Sequence, residues 1–124
     1  MERAIEIDGR PVKFRATAAI PRMYRMQFGR DIMVDFRELE QAAKEAAQGN
    51  GSIPIPMLEI FENVPFLMAR HADPQMEEET VEAWLDGFET FSIYEVLPQL
   101  LELWKLNNQT VDHLKKKQDR LTGR

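Results

Sequence analysis

The apolar residues of this chain change period once, near residue 16, and that change sets what it can fold into. Arg3-Ala4-Ile5-Glu6-Ile7 and Arg10-Pro11-Val12-Lys13-Phe14-Arg15 alternate, with Asp8-Gly9 between them. Alternation puts every second side chain on one face of a strand. Asp-Gly between two such runs predicts a two-residue hairpin, because both turn positions tolerate positive φ. Ile5, Ile7, Val12 and Phe14 are its apolar members. Pro11 cannot donate to a ladder and belongs at an edge. A lone hairpin is marginal in water, so it has to pack on helices or pair with another subunit.

Beyond residue 16 the pattern is helical. A first helix is expected over about Ile20 to Phe28, with Pro21 in its first turn and Gly29 at the left-handed stop. Met23, Met26 and Gln27 share one side, and Tyr24 and Phe28 are four apart on another. Asp31 caps a second helix that runs to about Gln48. Ile32, Val34 to Phe36 and Leu39 form its apolar face, which fades into Gln41-Ala-Ala-Lys-Glu-Ala-Ala-Gln, good in propensity but with little to bury. Gly49-Asn-Gly-Ser52 is a flexible break.

Met57, Ile60, Phe61, Val64, Leu67 and Met68 mark a third helix over about Pro54 to Ala72. Pro65 inside it is expected to kink it, and Asp73-Pro74 ends it. A short acidic helix, about Glu79 to Glu89, carries Val81, Trp84, Leu85 and Phe88. Ser92 and Glu95 have capping-box spacing and open a helix with Ile93, Val96, Leu97, Leu100, Leu101 and Trp104, kinked near Pro98. Asn107-Asn108 breaks it, and Thr110 to about Leu121 reads as a last, polar helix. The fold class is therefore mainly α, with five to six helices and a short N-terminal β-hairpin. The 124 residues are one domain's worth: a hairpin over 1–16, a helical body over 19–107 and a basic C-terminal segment over 108–124.

Charge is strongly segregated. Met1 to Arg30 holds seven basic and three acidic residues, Asp73 to Trp104 nine acidic and no basic, and Lys105 to Arg124 six basic and two acidic. Head-to-tail self-association of basic ends on an acidic middle is one reading; solvated helix faces are the other. Nucleic acid is a poor partner for a chain of net charge −5 whose largest patch is acidic. No apolar run approaches the roughly 20 residues of a membrane span, and the N-terminus has no apolar core of the kind a signal peptide needs.

Chemistry-bearing residues do not assemble into a catalytic pattern. There are no cysteines, hence no disulfide, thiol nucleophile or cysteine zinc site. His71-Ala72-Asp73 has no second cluster to complete a metal site, and His113 lies among lysines. Glu77, Glu78, Glu79, Glu82 and Asp86 suit the first turn of a helix for dipole reasons. None of the six glycines forms a phosphate-binding loop. The expectation is a binding protein, not an enzyme, without cofactor or metal. Trp84 and Trp104 fall on apolar stripes, where each is either core or an interface anchor. Met23, Met26, Met57 and Met68 suit a surface that accepts more than one helix.

Five local motifs occur in a distinctive order: Tyr24-Arg-Met-Gln-Phe-Gly-Arg-Asp31, Glu59-Ile-Phe-Glu-Asn63, Ala72-Asp-Pro74, Trp84-Leu-Asp-Gly-Phe88 and Leu97-Pro-Gln99. With the opening Asp-Gly hairpin they resemble the tail assembly chaperones of long-tailed phages and prophages of Gram-positive bacteria, over nearly the whole chain. Pro65 departs from the family pattern, which has a plain helix former there. The resemblance implies a non-catalytic factor in the host cytoplasm, absent from the mature virion, that binds and solubilises the tape measure protein and helps recruit tail tube subunits. It also implies a longer product of the same gene made by programmed frameshifting, for which Lys115-Lys116-Lys117 offers a slippery site. Tyr24, Phe28, Met23, Met26, Trp84, Phe88 and Trp104 are the candidate partner-binding residues. The alternative is a small virion structural protein, a head-tail connector or minor tail component.

Overall fold

A computed structural model describes residues 1–49 and 51–106. The break at Asn107-Asn108, the helix expected from Thr110, His113 and the three lysines from Lys115 lie outside the described residues. The protein is mainly α-helical with an N-terminal two-stranded antiparallel hairpin: β1 Glu2–Ile7, β2 Arg10–Arg15, α1 Ile20–Phe28, α2 Ile32–Ala47, α3 Ile55–Ala72 and α4 Val81–Leu85. A further helix, α5, runs over 93–106.

The hairpin register runs from Glu2↔Arg15 to Ile7↔Arg10. Asp8 and Gly9 both have positive φ, 55° and 73°, as the tight turn requires. Asp8 also accepts bonds from the Glu89 amide at 2.6 Å and from the Thr90 hydroxyl at 2.7 Å. One residue therefore makes the turn and ties it to the loop that leads into α5. The Thr90 hydroxyl bond, with help from the two amides, holds the Asp8 carboxyl below its ordinary range.

α3 is the central helix, in contact with β2, α1, α2 and α4. Every residue from Val64 to Ala69 is buried. That is the signature of a helix covered on all sides, broader than the single stripe its periodicity suggests. α3 runs unbroken through Pro65. Its neighbours supply the packing that a helix missing one N–H needs.

The helix ends mostly follow the expected chemistry. Gly29, at φ 67°, donates to the Arg25 carbonyl and ends α1; the Asp31 carboxylate accepts from the Met33 amide and starts α2. Two details differ. α4 is shorter than the expected 79–89, because Thr80 caps it and the chain turns at Asp86-Gly87, where the Gly87 amide bonds to the Trp84 carbonyl. At α5, the Ser92 carbonyl takes the Glu95 and Val96 amides; among the described residues no side-chain capping bond forms at Ser92.

Candidate partner-binding surface

α5 lies beside the C-terminal half of α2, and the two helices leave an open groove of about 570 Å³ between them. Ala43 and Ala47 of α2 face Leu97, Pro98 and Leu101 of α5 across it. A smaller hollow of about 230 Å³ continues the seam toward the start of α2, lined by Met33, Phe36 and Arg37 on one side and Trp104 on the other. Glu40, Leu101 and Lys105 line both spaces. One face of α2, from Met33 to Ala47, thus runs along the seam, about 21 Å at 1.5 Å per residue.

The charged rim is internally neutralised. Lys105 Nζ lies 2.9 Å from Glu40 Oε2, and Lys44 lies 3.6 Å from Glu40 Oε1. The hydrogen bond from Lys105, more than the charge of either lysine, holds the Glu40 carboxyl below its usual range. Arg3 of β1 pairs with Glu102 of α5 through two contacts, Nη1 to Oε2 at 3.0 Å and Nη2 to Oε1 at 3.2 Å. An incoming helix meets an apolar floor and a rim whose charges already have partners. Such a groove accepts the apolar face of an amphipathic helix.

The seven residues singled out by sequence fall in three places. On α1, Tyr24 is fully buried, Met23 and Phe28 are half-buried, and Met26 is 74% exposed. The Tyr24 and Phe28 rings pack at 5.2 Å, as their four-residue spacing implies. Around α4, Trp84 is buried at the centre of an aromatic cluster, with Phe88 at 5.2 Å, Phe91 at 5.4 Å, Phe66 at 6.0 Å and Phe14 at 6.3 Å. Phe88 is capped by Arg10, whose guanidinium lies 5.4 Å from the ring centre and donates to the Gly87 carbonyl at 2.8 Å. On α5, Trp104 is 6% exposed, packs on Phe36 at 5.5 Å and edges the smaller hollow.

The groove itself is built from residues the periodicity undervalued. Ala43 and Ala47 read as propensity without burial, yet their small side chains are what leave room beside Leu101. The signal for them was present: 39, 43 and 47 recur every four residues on the face that begins with Leu39.

Among the described residues no cluster of histidines and carboxylates has metal-binding composition, and no helix is long and apolar enough to cross a membrane. The chain matches no family model, no curated protein and no solved structure.

Proposed function

We propose that this protein is a phage tail assembly chaperone that covers apolar helical stretches of the tape measure protein with the α2/α5 groove. The groove carries the reading: an open, apolar channel between two helices, with its rim charges already paired, suits a helical partner better than a small polar substrate. The ordered motifs from Tyr24 to Gln99 support the same reading. A long partner with many apolar stretches is covered by many copies, and repeated weak sites on one chain give high avidity. On this reading the protein acts in the host cytoplasm, and a longer frameshifted product sharing the helical body brings tail tube subunits to the same partner.

Co-expression tests it. The tape measure protein is expected in the soluble fraction with this chain and in the pellet without it. Purified particles are expected to lack the chain. Its stoichiometric presence in particles, with no effect on tape measure solubility, would sink the chaperone role in favour of a virion component.

A further inference from the structure

The two edges of the hairpin are not equivalent. In an antiparallel pair, opposed residues alternate between those that exchange both hydrogen bonds and those that exchange none. The phase is fixed here at both ends of the ladder. The two-residue turn makes Ile7 and Arg10 a bonded pair. At the other end, the Met1 amine donates to the Ala16 carbonyl at 2.7 Å and the Ala16 amide to the Met1 carbonyl at 2.8 Å. Counting inward from either end, the odd residues of β1 face β2. The N–H and C=O groups of Glu2, Ala4 and Glu6 face away from it.

On β2 the outward residues are Pro11, Lys13 and Arg15. Pro11 has no N–H, so that edge is blocked at one of its three positions. On β1 all three positions keep a donor and an acceptor. Among the described residues these groups have no hydrogen-bond partner, and Glu2, Ala4 and Glu6 are all exposed. β1 is therefore an open edge with a complete outward set, and β2 is not.

Charge selects the occupant. A second copy pairing symmetrically through β1 in full overlap centres on Ala4 and sets Glu2 opposite Glu6 of the other copy, twice. Like charges directly opposed on one face are unfavourable. An extended segment with basic residues at two positions four apart, and a small or apolar residue midway, meets both glutamates and Ala4 favourably. We infer that β1 is a strand-addition site for an extended segment of another protein carrying that basic pattern. This site is separate from the α2/α5 groove and does not depend on it.

The test uses the full chain and two end-capped peptides, Thr-Lys-Val-Ala-Val-Lys-Thr and its counterpart with Glu in place of Lys. Amide NMR is the readout. The Lys peptide is expected to shift and protect the Glu2, Ala4 and Glu6 amides, and the Glu peptide to bind about tenfold more weakly. The double variant Glu2→Lys/Glu6→Lys is expected to reverse that preference. Ala4→Pro, which repeats on β1 what Pro11 does on β2, is expected to abolish binding; if that variant does not fold, the charge reversal decides alone. Equal binding of the two peptides, or shifts confined to α2 and α5, overturns the inference. So does protection of the three amides that rises with protein concentration in the absence of peptide, since the occupant is then a second copy.

Discussion

Arg30 clasps Asp35 through two hydrogen bonds, Nε to Oδ2 at 2.6 Å and Nη2 to Oδ1 at 2.8 Å. The Tyr24 hydroxyl donates to the same Oδ2 at 2.7 Å. A carboxylate on a residue only 2% exposed is thus satisfied from α1 and from the turn between α1 and α2. Buried charges persist only when paired in this way. The cluster fixes the angle at which the first two helices leave the Gly29 turn, and so where α2 lies to form one wall of the groove. Sequence periodicity placed residues 34 to 36 together on the apolar face. In the structure Val34 is 43% exposed while Asp35 is buried, because the carboxylate brings its own partners with it.

Asp35→Ala is expected to destabilise the fold by about 1–3 kcal/mol, since it leaves the buried Tyr24 hydroxyl without an acceptor. Tyr24→Phe removes the donor instead and leaves Asp35 paired with Arg30, so its cost should be near the lower end. Burial pushes the Asp35 carboxyl up, but the Arg30 and Tyr24 hydrogen bonds together outweigh it and hold it below the ordinary range. A depressed carboxyl pKa contributes stability above the unfolded value, and that stability is lost as pH falls below about 4. Thermal melts of wild type and Asp35→Asn across that range should converge at low pH. Parallel curves would show that Asp35 is not linked to folding.

His71 adds an opposite kind of group in a higher window. Its Nε2 lies 2.9 Å from the Thr17 hydroxyl, which also accepts the Ala19 amide at 3.2 Å. Burial first, then the charges of Arg15 and the N-terminus, push the His71 pKa below its ordinary value. A base with a depressed folded pKa binds its proton more readily when unfolded. Stability is then lost as pH falls from about 6.5 through the folded value. His71→Gln is expected to flatten the melting temperature between about pH 7 and 5. An unchanged slope in that variant would assign the dependence to other groups.

How much was legible in the sequence depended on how local the cause was. Asp8-Gly9, Gly29 and Asp31 act through their own backbone or the next turn, and each sits where its chemistry places it. Asp86-Gly87 is just as local, but the helical spacing of Val81, Trp84, Leu85 and Phe88 continues across it and predicts a longer α4 than the one that forms. The groove is different. It exists because α5 comes to rest against α2, and nothing in the spacing of Ala43 and Ala47 states which helix will face them. The same holds for Trp84: its place on a stripe was readable, but its four aromatic neighbours arrive from β2, α3 and the loop after α4.

The two tryptophans are expected to behave alike in stability. Trp84→Ala removes the centre of the aromatic cluster, and Trp104→Ala removes the packing on Phe36. Each should cost about 3–5 kcal/mol, with Trp84 toward the upper end because it touches more rings. Chemical denaturation with fluorescence from the remaining tryptophan checks both. A Trp104→Ala protein of unaltered stability that no longer binds the tape measure protein would move Trp104 from core residue to partner anchor.

The groove can be closed from its floor. Ala47 is exposed, and Ala43 is half-buried against the core, so Ala47→Glu places a charge on the open part of the groove floor and Ala43→Glu places one against the fold. The exposed Ala47 change is expected to alter stability by no more than about 0.5 kcal/mol; the Ala43 change is expected to cost more, so the melting temperature of each variant is measured beside its binding. Solubilisation of the tape measure protein is nonetheless expected to be lost in the double variant, because a carboxylate there either loses its water or keeps the partner helix out. Salt gives an independent reading. The groove's rim charges already have partners within the fold, so a partner held by apolar contact should stay bound near 1 M salt, where the screening length is about 3 Å. A basic strand at Glu2 and Glu6 should bind more weakly under the same conditions, by less than the roughly tenfold effect of reversing its charges, because its main-chain hydrogen bonds are not screened. Tape measure binding that survives high salt but not the two glutamates places the partner in the groove. Binding that survives the glutamates and fails in salt places it on a charged surface, and the groove assignment is then wrong.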